Sequence, residues 1–182
     1  MALRMMTHTE YDFSNVEELQ RVVGSTVTRE ITRRRRMFNF LWAAVCLGMT
    51  AFLFALQTGH WVFVAIFGVL GLFFLARGIF FYKFVALGVQ MTMDKSVTGS
   101  DFILEKSYML AKNNKTSGQY PYDACHRLLE TERNLYYILQ NGQGLILDKA
   151  NLKGGSVDEL RAWMESKCGK KCEWVGKPHG NI

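Results

Sequence analysis

Between Met37 and Ala76 the sequence contains no Asp, Glu, Lys or Arg, a gap of 40 residues. Even core helices of soluble proteins carry a polar face, so a gap this long argues against an ordinary water-soluble fold. Cysteine is sparse, and the scatter of Cys46, Cys125, Cys168 and Cys172 does not suggest the disulfide framework of a small secreted domain. Signal-peptide form is missing too. The 36 residues before the first apolar run are polar and mixed, so that run is expected to stay in the mature chain. One-sided charge is also absent. Residues 1–36 hold seven Arg and five acids, and residues 83–182 hold 14 basic and 11 acidic residues. The C-terminal region is therefore nearly balanced in charge, which weakens the case for a nucleic-acid surface.

No catalytic constellation stands out. His8, His60, His126 and His179 lie in four separate segments, with no metalloprotease motif, nucleophile elbow or phosphate-binding glycine loop beside them. The expectation is a protein that is not an enzyme and needs no cofactor. Cys168 and Cys172 have a spacing that zinc sites permit, but a structural site needs further ligands, for which Cys125 or His126 would have to come close. Two reduced cytosolic thiols are the simpler reading, with the neighbouring lysines able to lower a thiol pKa and aid oxidation.

What is present begins at Arg33-Arg34-Arg35-Arg36, set directly against an apolar run from Met37 to Leu56. At ~1.5 Å per residue such a run reaches about 30 Å, one hydrocarbon core. A polar turn, Gln57–His60, leads into a second run, Trp61–Tyr82, whose only charge is Arg77. Two spans joined by four residues must be antiparallel neighbours, giving a helical hairpin. The arginines before it and Lys83 after it predict cytoplasmic N- and C-termini, because basic flanks stay inside. Arg77 lies close enough to the inner edge to snorkel, Trp61 and Tyr82 fit the aromatic belt, and the arginine cluster is suited to anionic headgroups. Small residues at Ala44, Gly48, Ala51 and Ala55, and at Ala65, Gly68 and Gly71, predict the faces through which the helices pack, with a homo-oligomer as the alternative use.

Upstream, Ser14 and Glu17 form a capping-box pattern, and Val16, Leu19, Val23, Val27 and Ile31 recur at helical spacing. An amphipathic helix from about Asn15 is expected, running on into the first span and packing against the C-terminal region. From Phe84 onward short alternating segments take over. Val89–Met93, 102–106, 108–112, 119–122, 126–131 and 135–140 read as strands, and Asn141-Gly142 as a hairpin turn before Leu145–Leu147. Lys112 and Lys115 mark a loop that suits a lipid or a partner. Ser156 and Glu159 cap a final helix with Leu160, Trp163 and Met164 on its apolar stripe, ended by Gly169.

The stretches Tyr122–Thr131, Leu135–Leu139, Gly144–Lys149 and Gly154–Arg161, taken with this layout, resemble the YcxB-like membrane proteins of bacteria. The resemblance implies two transmembrane helices and a C-terminal pleckstrin-homology-like domain, an α+β sheet bent into a partly closed barrel and plugged by a helix. It brings no defined reaction and no binding residues. The expected organisation is a cytoplasmic segment at 1–36, a transmembrane hairpin at 37–82 (37–56 and 61–82) and a cytoplasmic domain at 83–182, in the bacterial cytoplasmic membrane. The expected role is a non-enzymatic membrane-tethered module that binds a protein partner or anionic lipid headgroups. The alternative is a small transport or envelope-stress component acting through its spans, around Arg77. A DNA-binding use of Arg33–Arg36 ranks last, since the bilayer would obstruct a duplex.

Overall fold

The computed structural model describes residues 5–56 and 59–176. Its first elements are β1 Met6–Glu10, α1 Phe13–Thr26, α2 Arg29–Ala55, α3 Trp61–Ile79 and α4 Phe81–Thr92. There follow β2 Gly99–Leu104, β3 Tyr108–Lys112, β4 Ser117–Pro121, β5 Cys125–Glu130, β6 Asn134–Leu139, β7 Gly144–Asp148, α5 Val157–Cys168 and β8 Cys172–Trp174. The class is α+β. One sheet has the order β1-β2-β3-β4 and the other β7-β6-β5-β8.

The sheets do not close into a barrel. Where β1 meets β7 the contact is made by side chains instead of a backbone ladder. Thr7 Oγ1 donates to Asp148 O, Thr9 Oγ1 donates to Ile146 O at 2.7 Å, and Asp148 N donates back to Thr9 Oγ1. Inside, Phe102 and Met109 of the first sheet meet Leu128, Leu135, Tyr137 and Leu147 of the second, and Leu160 and Met164 of α5 join the same core. The α5 caps follow the sequence reading. Glu159 N donates to Ser156 Oγ, Ser156 N donates to Glu159 Oε2, and Gly169 ends the helix at φ 62°. Gly142, at φ 82°, turns the β6–β7 hairpin, and Gly144 already stands opposite Ile138 in β7.

Five expectations are corrected. The N-terminal segment contributes a strand, β1, which pairs antiparallel with β2 from Met6↔Ile103 to Glu10↔Gly99. The sheet fold therefore draws on both sides of the hairpin instead of beginning at residue 83. The N-cap of α1 is Asp12, whose carboxylate accepts from Asn15 N, and Ser14 lies inside the helix. That helix ends at Thr26 and does not run on into α2. Val89–Met93 is not a strand, because all but its last residue belongs to α4. The less exposed residues of α4, Tyr82, Val85–Ala86 and Val89–Gln90, recur every three to four positions, and five alternating residues are too few to outweigh that packing. Finally, the second apolar run is split at Phe80, which places Tyr82 in α4.

α1 packs as expected, with Leu19, Val22, Val23 and Val27 against Leu129, Tyr136, Ile138 and Ile146 of the second sheet. α2 and α3 form an antiparallel hairpin, each long and apolar enough to cross a membrane. Leu47 lies against Gly71, Phe40 against Gly78 and Thr50 against Gly68. Gly68 and Gly71 thus take the role read for them. On α2, however, the buried residues of the apolar stretch are Asn39, Ala43 and Cys46, whereas Ala44, Gly48, Ala51 and Ala55 face outward. A large residue of α2, Leu47, fills the space that Gly71 leaves, so α2 does not pack there through the small residues read for it. Phe52, Phe54, Val62, Val69 and Leu72 are all more than half exposed. A core helix of a soluble protein would bury such side chains.

Candidate functional site

The polar residues of most interest gather where the hairpin meets the sheets. α1 stops at Thr26, and α2 starts three residues later with Arg29. Gly24 allows the close approach that follows. A Cβ there would lie 2.7 Å from Tyr82 Cε1, so the bare glycine lets the Tyr82 ring of α4 cross α1. Between α1, α2 and α4 this leaves a cavity of about 340 Å³, lined by Gly24, Ser25, Arg29, Thr32, Arg33, Arg36 and Tyr82, with Met37 and Phe40. Arg29, Arg33 and Arg36 share a face because their spacing of four and three residues follows the helix. No carboxylate lines the cavity. Arg36 is half-buried, and its Nε is fully buried without a hydrogen-bond acceptor among the described residues.

The residues singled out in the sequence divide between this corner and the rest of the surface. Arg33, exposed, and Arg36, half-buried, line the cavity, while Arg34 and Arg35 are exposed and do not line it. Arg77 is exposed near the end of α3, and Lys83 is exposed with its ammonium 5.8 Å from the centre of the Phe80 ring. Arg29, Thr32 and Tyr82 were not read as site residues. The spacing of Arg29 before Arg33 and Arg36 was a usable signal, but the approach of Tyr82 from another helix was not.

Lys112 and Lys115 lie far from that corner in sequence, Lys112 at the end of β3 and Lys115 on the β3–β4 turn. Lys115 Nζ donates to Asp94 Oδ2, and Asn114 Nδ2 donates to Ser96 O, so the turn is tied to the segment after α4. The Lys115 and Ser96 contacts hold the Asp94 carboxyl at about 2. Lys112 remains exposed.

The cysteines are arranged otherwise than their spacing suggests. Cys168 shares a hydrogen bond and a buried core position with Cys125, while Cys172 is only partly buried at the edge of that core. That shared hydrogen bond and burial push the Cys168 thiol up. Burial, then the Glu130 charge, push the Cys172 thiol up to about 12, opposite to the lowering expected from nearby lysines. His8 Nδ1 lies 2.7 Å from Asp101 Oδ1, whereas His60 and His126 are exposed and His179 falls outside the described residues. Among the described residues no three His, Cys, Asp or Glu side chains are grouped to hold a metal.

A buried ionic network, unforeseen in the sequence, joins the second sheet to α5. Glu130 is 3% exposed and accepts from Arg161 Nε and Nη2 and from Lys149 Nζ. Arg161 first, then Lys149, hold its carboxyl at about 2 despite burial. This arrangement ties β5 to α5 and touches no cavity described above, which makes it structural.

Against models of protein families the chain finds no match, and none among curated proteins.

Proposed function

We propose that the protein is an integral membrane protein whose α+β domain, tethered by the α2–α3 hairpin, serves as an interaction module for a protein partner or anionic lipid. The observation that carries this reading is the pairing of β1 with β2. One strand precedes the two apolar helices and the other follows them, yet they share five residue pairs. A chain that crosses a bilayer twice returns to the side it left, which is what such a sheet requires. The arginine-rich start of α2 and the uncharged loop region support that side being cytoplasmic. The exposed apolar surface also continues past α3 onto Phe84, Leu87 and Met91 of α4, so it does not stop at a two-helix core.

The domain itself fits a pleckstrin-homology-like plan, with two sheets packed face to face over a core closed by a C-terminal helix. That likeness and the YcxB-like resemblance support a binding role in preference to catalysis. The alternative, action through the spans around Arg77, draws less support. Arg77 is exposed on α3 and not held between the helices.

The test is site-directed labelling in intact cells with an impermeant thiol reagent, in a background where native cysteines are replaced. His60→Cys should label and Lys106→Cys, on the β2–β3 turn, should not. The reverse pattern places the sheets outside the cell and overturns the reading. For the binding role, photocrosslinking from exposed domain positions in membranes should trap a protein or a lipid. Failure to trap either counts against the module.

A further inference from the structure

We propose that the cavity between α1, α2 and α4 binds a phosphate group, carried by an anionic lipid headgroup or free in solution. The inference rests on the membrane reading above and gives its lipid interaction a specific place. Arg29, Arg33 and Arg36 turn toward one small volume, and Ser25 and Thr32 add hydroxyls beside them. Carboxylates are missing from the lining, so the three guanidinium groups lack a neutralising partner there. Arg36 Nε is the most telling atom. It is buried and unpartnered among the described residues, and a charged donor held away from water calls for an acceptor. An oxyanion seated between the arginines supplies it, and arginine's planar fork suits a phosphate better than a point-charge ammonium does.

Position agrees with chemistry. Arg36 adjoins Met37, where the apolar run begins, and Arg33 is one turn earlier, within about 6 Å along the helix axis. In a bilayer that is headgroup depth. Met37 and Phe40 on the lining would then face the first carbons of an acyl chain. The built part of the site is the corner itself. Gly24 admits the Tyr82 ring, and the end of α1 at Thr26 turns the chain so that Ser25 and Arg29 face the same space.

The test uses the full chain in detergent, titrated with short-chain phosphatidylglycerol and read by native mass spectrometry, with phosphatidylcholine as the uncharged comparison. Two double variants remove the same charge from the same helix. Arg33→Gln with Arg36→Gln lies in the cavity, and Arg34→Gln with Arg35→Gln lies outside it. The first should weaken phosphatidylglycerol binding about tenfold or more, as expected for lost charge-assisted hydrogen bonds, and the second by less than about twofold. Arg36→Lys keeps the charge without Nε and should give an intermediate loss, which guards against a folding artefact. Equal losses in both double variants, or none in either, overturn the site in favour of diffuse charge. Titration with inorganic phosphate separates the sources. Displacement of the lipid by millimolar phosphate, with the same sensitivity to the Arg33 and Arg36 changes, supports a soluble ligand, and resistance to it supports the headgroup. Alkaline extraction of cell membranes keeps the two readings apart. A chain that stays in the membrane but fails the lipid test loses only this site, whereas one that washes off loses the membrane reading as well.

Discussion

Arg161 grips Glu130 with two nitrogens, Nε on one carboxylate oxygen and Nη2 on the other, both at 2.7 Å. Lys149 closes the arrangement from the turn after β7, donating both to Glu130 and to Thr131 O. Removing one partner of a buried ion pair leaves the others uncompensated, so Glu130→Gln should destabilise the fold by about 3 kcal/mol at neutral pH. The carboxyl is held at about 2, below its ordinary value near 4.5. Its contribution is therefore fully present above the ordinary value and fades as the pH falls toward 2. Thermal unfolding of the wild type and Glu130→Gln should differ widely at pH 7, and the gap should narrow at pH 3. A gap unchanged at pH 3 would show that the charge is not what stabilises this corner.

Gly71 and Gly48 face opposite surroundings in the hairpin. A Cβ on Gly71 would meet Leu47 Cγ and Cδ2 at 2.7 Å and its backbone nitrogen at 3.2 Å, while Gly48 has nothing within 4 Å. Gly71→Ala should cost about 1–3 kcal/mol through overpacking, because α2 and α3 must move apart. Gly48→Ala should be neutral or stabilise by up to about 1 kcal/mol through helix propensity. Melting of the two variants in detergent distinguishes the cases, and similar melting would refute the packing register described.

Thr9 holds the seam between the sheets through one hydroxyl, which donates to Ile146 O and accepts from Asp148 N. Thr9→Val keeps the shape and strips both bonds. With the site buried, the loss should be about 2 kcal/mol, and it should appear as faster amide exchange at Asp148. Unchanged exchange at Asp148 would mean that the seam is held by packing alone.

Cys172 should react slowly despite its position near the surface. With the thiol pushed up to about 12, the thiolate fraction at pH 8 is small. Alkylation by iodoacetamide should run at least about a hundredfold slower than at an exposed cysteine of ordinary pKa. Burial is the larger cause and the Glu130 charge the second, so Glu130→Gln should speed the reaction only in part. Rapid labelling of the wild type would mean that neither influence operates.

Where the pattern was local, the sequence was easy to read. The charge gap marked both apolar helices, the Ser156 and Glu159 cap marked α5, and β3 was read with its correct limits. β1 was missed because its buried face is made of Thr7 and Thr9, whose polarity hides them until the carbonyls they bond are known. α4 was misread because its helical spacing shows only against α1. The candidate site was half legible. Arg33 and Arg36 stood out in a basic run, and their spacing from Arg29 sets them on one helix face apart from Arg34 and Arg35, but nothing local shows that this face is enclosed. That enclosure comes from α1 and Tyr82, which pack against one side of α2 and not the other.

The union of β1 with β2 also sets an order of events during synthesis. About 90 residues separate the paired strands, so the first sheet stays incomplete until the hairpin has been made and β2 has emerged. At roughly 5–20 residues per second, β1 waits on the order of ten seconds with its edge unpaired. Its brevity, five residues with His8 and Glu10 on the outer face, limits what that edge can capture meanwhile. β1 thus closes onto a strand that is made only after both apolar helices.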